Sequence, residues 1–209
     1  MKVQILVDNP DSWIVPYAIE LRDKINDKYG DCQLLFKHEE VTKGDVLCLL
    51  SCEKIFKDLD KNKYNLVVHE SDLPKGKGWS PLTWQVLEGK NRIPITLFEA
   101  EEKVDAGAIY LQDEIVLEGH ELLPEIKHIQ GKKTNELILK FLEQYPNVKG
   151  RTQKGEETFY ARRTAKDSCL DIHKNIEEQF NLLRVCDNER YPAYFVKDGI
   201  EYIIKIEKR

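Results

Sequence analysis

Apolar positions recur with two periods along the chain, and their alternation lays out the expected elements. Residues 3–7 form a continuous apolar-rich run suited to a buried strand, and residues 32–36, 45–50 and 64–69 repeat it. Between the first two runs Ile14, Tyr17, Ala18, Leu21 and Ile25 recur at helical spacing, opened by the turn and cap residues of 8–12 and closed near Gly30. A short helix is expected at 55–59 and another from Ser80 or Pro81 to Leu87. Further strands are expected at 93–98 and 108–117, then a helical pattern over 122–145 that Gly131 interrupts. Strands alternating with helices at this spacing imply parallel βαβ units. The expected fold class is therefore α/β, with a mostly parallel sheet covered on both faces.

Past residue 145 the pattern changes. Residues 146–157 are polar and contain glycine, so they read as a connecting loop. Ile176, Phe180 and Leu183 suggest one more helix, and 194–196 and 200–206 flank Lys197-Asp198-Gly199 as strands of a hairpin. The chain divides into a main α/β domain over 1–150 and a small C-terminal helix-plus-hairpin extension over 151–209. It shows no internal repeat and no low-complexity tract.

Composition narrows the function classes. With 41% apolar and 33% charged residues, the chain reads as an ordinary globular protein. No stretch approaches the ~18 to 20 apolar residues of a membrane span, and the N-terminus lacks the pattern of a secretory signal, so a cytoplasmic protein without membrane partners is expected. The five cysteines are odd in number and scattered, which suits reduced thiols. Cys48 and Cys52 form a Cys-x3-Cys pair with no second pair at zinc-site spacing, and no metal is expected. A net charge of −5 disfavours a nucleic-acid partner. The basic spots Lys75/Lys77 and Arg162/Arg163 suit the phosphates of a small ligand instead.

The chemistry-bearing stretch runs from His69 to Gly107. His69 ends a predicted parallel strand, at the sheet edge where open α/β folds place ligands. Asp105 sits in the loop before the next long strand, so the two side chains could meet in one crevice. The remaining histidines, His38, His120, His128 and His173, have no such company and read as surface or structural.

Three motifs fall in register: His69-x-Ser71-x-Leu73-Pro74, Gly78-x-x-Pro81-x-x-Trp84, and Asp105-Ala106-Gly107-x-Ile109. Over roughly residues 45–117 this pattern resembles the folate-dependent formyltransferases, which include glycinamide ribonucleotide, methionyl-tRNA and sugar-nucleotide formyltransferases. The separation of the histidine and aspartate, 105 − 69 = 36 positions, is similar too. Thr158-Phe159-Tyr160-Ala161-Arg162-Arg163-Thr164, with Asp167 and Asp171, resembles the segment after the catalytic domain in sugar and tRNA members. The short length, the early Asp8-Asn9-x-x-Ser12-Trp13 and the hairpin most resemble sugar-nucleotide N-formyltransferases, within them those acting on 4-amino-4,6-dideoxy sugars toward pseudaminic acid.

The resemblance implies a Rossmann-like formyltransferase fold. It implies transfer of a formyl group from N10-formyltetrahydrofolate to the 4-amino group of a nucleotide-linked amino-dideoxy sugar, and points to UDP as the nucleotide. His69 would be the proton acceptor or relay and Asp105 its partner. Leu50, Ser51 and Cys52, with Ala100, Glu101, Val104 and Asp105, would hold the folate. Asn9 and Trp13 would contact sugar or base, alongside Ser71, Lys75, Lys77 and Trp79. Arg162, Arg163 and Arg184 are the diphosphate candidates, and Tyr191 or Tyr160 would stack on the base. Trp84, at helical spacing from Leu87, reads as core. The extension would build part of the sugar site or a homodimer contact. The glycinamide ribonucleotide and methionyl-tRNA types are the enzyme alternatives, the latter disfavoured by the chain's acidity and lack of a basic C-terminal domain.

The residue types have a chemical reason of their own. An amine attacking a formyl carbon generates an oxyanion and must shed a proton; an unperturbed histidine, titrating near ~6.5, can accept or relay it. A carboxylate beside the ring would orient it, and each donor aimed at the oxyanion is worth about 3 to 4 kcal/mol. One position departs from the family. Two residues before the histidine, where members carry an asparagine, this chain has Val67, which donates nothing. Asn65 lies four residues before His69, about 13 Å along a strand, too far to substitute. Backbone N–H groups, His69 itself, Asn91 or Ser71 would have to serve, or the chain is a binding module for folate or sugar nucleotide without turnover.

Overall fold

The computed structural model describes residues 1–209. Its centre is a six-stranded sheet built from β1 (Val3–Leu6), β2 (Cys32–Leu35), β3 (Gly44–Leu49), β4 (Asn62–His69), β6 (Arg92–Glu99) and β7 (Ile109–Val116). The spatial order is β2-β1-β3-β4-β6-β7. The pairings β1–β2, β1–β3 and β3–β4 are parallel, as the apolar runs predict. The pairings β4–β6 and β6–β7 are antiparallel, so the βαβ rule holds only for the first four strands.

The helices lie largely on one face. α1 (Val15–Tyr29) buries Ala18, Leu21 and Ile25, and α3 (Leu123–Gln144) buries Ile126, Leu137, Ile138 and Phe141. Both stripes join Val3, Ile5, Val46, Cys48 and Leu66 in the main core. α3 runs unbroken through Gly131, against the expected interruption. A Cβ there would stand 2.5 Å from the Tyr17 ring, so glycine is the residue that lets α1 and α3 approach, and this packing outweighs its weak helix propensity.

The opposite face is covered by loops rather than helices. Leu6, Val41, Leu47, Leu49 and Phe56 cluster there, with Val67 and Ala100 packed against them. The helix expected at 55–59 does not form. Only Phe56 in that stretch is buried, which is too little apolar surface to hold an isolated turn, and the chain makes a 3-10 turn at Leu59–Lys61 instead.

The C-terminal residues return to the main sheet. β8 (Phe159–Tyr160) pairs in parallel with β5 (Lys77–Gly78), and Arg151 bridges to Ile109. α4 (Phe180–Val185) packs near α2 (Pro81–Leu87), and its Val185 belongs to the main core. β9 (Ala193–Lys197) and β10 (Ile200–Ile204) form the expected hairpin, with Asp198 and Gly199 both in the left-handed region at its turn. No helix is long and apolar enough to cross a membrane.

Candidate active site

Strand alternation at the end of β4 sets the site. Val67 packs with Leu73, Phe98 and Ile109 on the loop-covered face, whereas Val68 packs with the main core beneath α1 and α3. His69 shares the Val67 face. Glu70 turns to the helical side, where its Oε1 accepts from Gln130 Nε2 of α3 at 2.8 Å. The carboxyl edge of the sheet thus delivers an imidazole to one side and a carboxylate to the other.

His69 is held by a loop that other segments lock. Its side chain is only 9% exposed, and Nε2 lies 2.8 Å from the carbonyl oxygen of Gly76 and 3.9 Å from Asp105 Oδ2. Asp105 stands in the loop after β6 and accepts the Gly78 N–H at 2.9 Å; Gln153 Nε2 donates to the carbonyls of Asp105 and Gly107. The Gly76–Trp79 segment is laid down by β8. Lys77 N–H donates to Thr158 O, Trp79 N–H to Tyr160 O, and Gly76 N–H to Thr158 Oγ1. Gly78 is required here, since its φ of 97° favours glycine and a Cβ would meet Tyr160 O at 2.5 Å.

A cleft of about 560 Å³ opens around this pair. One lobe lies over the Val67 face, walled by Leu49, Cys52, Phe56, Phe98 and Val104, with Leu50 turned to the helical-face core. The other lies over the helical face, walled by Trp13, Ile14, Leu82 and Ile126, with Glu70, Lys127, Gln130 and Thr134 as its polar groups. His69 and Asp105 line the junction. The first lobe is an apolar slot whose rim, Glu101–Val104, has no backbone hydrogen-bond partner. Its opposite rim is fixed because Asp8 accepts the N–H groups of Glu53 and Lys54. Apolar walls edged by open amide groups suit a heterocycle with polar edges. Burial pushes the Cys52 thiol up to about 12, so it stays protonated and lines the slot without acting as a nucleophile.

The structure sorts the residues singled out from the sequence. All seven folate candidates, Leu50, Ser51, Cys52, Ala100, Glu101, Val104 and Asp105, line the cleft, as do Trp13 and Trp79. Asn9 stands at its margin with its amide donated to Glu53. Arg162 lies beside the mouth, its guanidinium 4.8 Å from the Trp79 ring. The others are elsewhere. Ser71 and Lys75 line a separate hollow behind the Gly76 loop. Lys77 is 1% exposed and paired with Glu157. Arg163 donates to Asp167 O, and Arg184, 1% exposed, is paired with Glu121 beneath the C-terminal segment. Tyr191 is 63% exposed and does not line the cleft. Tyr160 stacks on Trp84 rather than facing the site, and Trp84 donates to Ala161 O, pinning the same segment. Asn65 binds Leu59 O and Glu99, and Asn91 binds Arg184, so neither side chain replaces an amide at Val67.

Glu70, Lys127, Gln130 and Thr134 did not stand out in the sequence. The last three are polar positions on the inward stripe of α3, a signal that reading α3 as broken at Gly131 conceals.

Residues 35–139 match the family model described as "Formyl transferase". The chain is similar to three solved structures at low identity, which bears on the fold alone. Methionyl-tRNA formyltransferase from Clostridium thermocellum is 19% identical, with a TM-score of 0.83 over 100% of this chain and 94% of that one. A sugar N-formyltransferase from a Shewanella species is 16% identical, with a TM-score of 0.73 over 100% and 98%. HypX from Aquifex aeolicus, solved in complex with tetrahydrofolic acid, is 16% identical, with a TM-score of 0.78 over 99% of this chain and 37% of that one.

Proposed function

The chain belongs to the formyl transferase family, and we propose that it transfers a formyl group from N10-formyltetrahydrofolate to the 4-amino group of a nucleotide-linked amino-dideoxy sugar. The observation that carries this reading is the His69–Asp105 pair at the junction of two lobes, one on each face of the sheet. The lobe over Val67 takes the folate, which supplies the activated formyl carbon; Leu50–Cys52 and Ala100–Val104 hold its heterocycle. The lobe under α3 takes the amine. A ligand in each lobe meets the other at His69, which provides the proximity that acyl transfer requires.

The Gly76 carbonyl fixes the Nε2 proton of His69, so Nδ1 accepts the proton that the attacking amine loses. Asp105 keeps the ring in place and faces the positive charge that the ring then carries. Trp13 and Trp79 offer flat walls for sugar or base, and Arg162 over Trp79 stands where a phosphate at the mouth would pass. A sugar N-formyltransferase and a methionyl-tRNA formyltransferase share the fold over nearly the full length of both chains alike, so the acceptor class rests on the motifs and the cleft.

The test is formyl transfer by the purified protein from N10-formyltetrahydrofolate to UDP- and TDP-linked 4-amino-4,6-dideoxy sugars, with glycinamide ribonucleotide and methionyl-tRNA as comparison acceptors. Tetrahydrofolate release that depends on one sugar, and is lost in His69→Ala and Asp105→Ala, supports the reading. Turnover on another acceptor reassigns the substrate within the family. A second reading, a folate-binding module without turnover, is favoured by Val67, whose side chain gives no donor where the oxyanion would form. Folate binding with no transfer to any amine would select it.

A further inference from the structure

The lobe under α3 holds a cation without a partner. Lys127 lies in the second turn of α3, partly buried, with its ammonium 4.0 Å from the centre of the Trp13 ring. It makes no ion pair and no hydrogen bond; Glu70, Asp187 and Arg190 are its charged neighbours, all beyond ion-pair reach. A lysine serving the fold would be paired or would turn its head to water. Lys127 instead gives up hydration among Trp13, Ile14 and Ile126 and faces the cleft. Burial pushes its ammonium down to about 8 despite the opposing pull of Glu70 and Asp187, so an incoming anion would relieve a cost already present.

Glu70 complements it. Its carboxylate is oriented by Gln130 and its carbonyl by Gln85 Nε2 at 2.6 Å, which leaves Oε2 free next in sequence to His69. The lobe is therefore polarised, with a fixed carboxylate on the residue after His69 and an unpaired ammonium on the facing helix. An acceptor with the opposite polarity would be aligned with its amine at His69.

Resting on the reading of this cleft as the transfer site, we propose that Lys127 is a specificity-determining residue that binds an oxyanion, phosphate or carboxylate, carried by the amine-bearing acceptor. Glu70 positions the amine end of the same molecule. A neutral amine of equal size fills the lobe but is not aligned by it.

Two experiments test this and separate it from the proposed activity. The first needs no turnover: inorganic phosphate, pyrophosphate and acetate are titrated against Trp13 fluorescence, with Trp13→Phe to identify the signal. A saturable change that weakens about tenfold or more in Lys127→Met and persists in Lys127→Arg is expected. The preferred anion distinguishes a phosphate-bearing acceptor from a carboxylate-bearing one. The second compares acceptor kinetics. Lys127→Met is expected to raise KM for oxyanion-bearing amines about tenfold with kcat within about twofold, leaving KM for a neutral amine and for the folate unchanged. Equal KM values in wild type and Lys127→Met for charged acceptors would overturn the inference, as would anion binding indifferent to the substitution. Anion binding without formyl transfer to any amine would remove the proposed activity and leave the site standing. Lys127→Met suits a helix interior and keeps the stem over Trp13, so thermal melting confirms that the variants compared are folded.

Discussion

His69 Nε2 donates to the carbonyl oxygen of Gly76 across 2.8 Å. A carbonyl oxygen only accepts, so the neutral ring is the Nε2–H tautomer and its lone pair is on Nδ1. Asp105 Oδ2 lies 3.9 Å from the same Nε2, so both groups that orient the ring act on one nitrogen, the arrangement on which the proposed role of Nδ1 rests. The arrangement has the logic of a base held by a carboxylate, with a main-chain carbonyl added as a second constraint.

Asp105→Asn isolates the carboxylate's charge. The asparagine oxygen can still accept the Gly78 N–H that Asp105 accepts at 2.9 Å, so the loop keeps its geometry. What is lost is the negative charge facing an imidazolium. The expected outcome is a fall in kcat of about 10²- to 10⁴-fold, with folate affinity and melting temperature nearly unchanged. Steady-state kinetics alongside a thermal melt checks both halves.

Thr158 acts on His69 through Gly76. Its Oγ1 accepts the Gly76 N–H at 2.8 Å and its carbonyl accepts the Lys77 N–H of the peptide whose Gly76 carbonyl faces His69, so the hydroxyl anchors the near side of the residue that borders His69. Thr158→Val keeps the shape and removes the acceptor. We expect kcat to fall about tenfold with KM for folate unchanged, since a small misplacement at the base costs rate before it costs binding. Thr158→Ser should restore the rate; failure of serine to rescue would assign the loss to packing instead.

Lys77 and Glu157 test the support under this loop. Lys77 is 1% exposed, and its ammonium relies on Glu157 at 2.8 Å; Lys103, in the Asp105 loop, contacts the same carboxylate. Removing one partner of such a pair strands the other, whereas replacing the buried cation by a methylene chain removes the problem. Glu157→Gln should therefore lower the melting temperature more than Lys77→Met does. The reverse order in a thermal melt would show that the pair is not what holds the loop.

The sequence pattern was most informative where local chemistry determines the outcome. The apolar runs of β1, β3 and β4, the helical spacing of Ala18, Leu21 and Ile25, and Asp198-Gly199 at the hairpin each carry their own signal. Direction is a different matter: an apolar run reads the same whether its neighbour is parallel or antiparallel, and β6 and β7 proved antiparallel. Gly131 looked like a helix break because propensity is local, while the Tyr17 ring that requires it is 114 positions away in sequence (131 − 17 = 114). Arg184 read as a phosphate ligand because its type suits one, but whether a guanidinium faces a cleft or a buried Glu121 is set by tertiary packing. That His69, Asp105 and the Leu50–Cys52 loop meet at one cleft was legible because motif spacing and strand ends mark them. Lys127 and Glu70 were not, because their meaning comes from facing each other across two elements.

Lys127 should make stability depend on pH in the alkaline range. Its ammonium is pushed from 10.5 down to about 8 by burial, with Glu70 and Asp187 opposing and Arg190 adding to the effect. Below about pH 8 the lysine is charged in both folded and unfolded chains, and folding bears the full cost of desolvating it. Between about 8 and 10.5 the unfolded chain binds more protons, so the contribution to stability rises with pH. Lys127→Met removes the cost at every pH. The variant should melt above wild type at pH 7, and the gap should narrow as pH rises toward 10; a gap independent of pH would mean that the ammonium is well solvated.

Val67 offers the sharpest division between a transferase and a binding module. It lies two positions before His69 on the same face of β4, lines the cleft, and packs with Leu73, Phe98 and Ile109. If formyl transfer proceeds with the donors present, the developing oxyanion lacks one side-chain hydrogen bond that this position could supply. Val67→Asn adds that donor at a cost of roughly 1–2 kcal/mol for placing an amide among apolar neighbours. An activity raised by about 10- to 100-fold, with a lower melting temperature, would show that the site is otherwise assembled and that Val67 throttles it. Unchanged turnover in a folded variant would show that the oxyanion is served from elsewhere, the backbone around the His69 junction being the nearest source. Transfer that first becomes measurable in Val67→Asn would mean that the natural chain binds its ligands in productive register and stops short of chemistry at this one side chain.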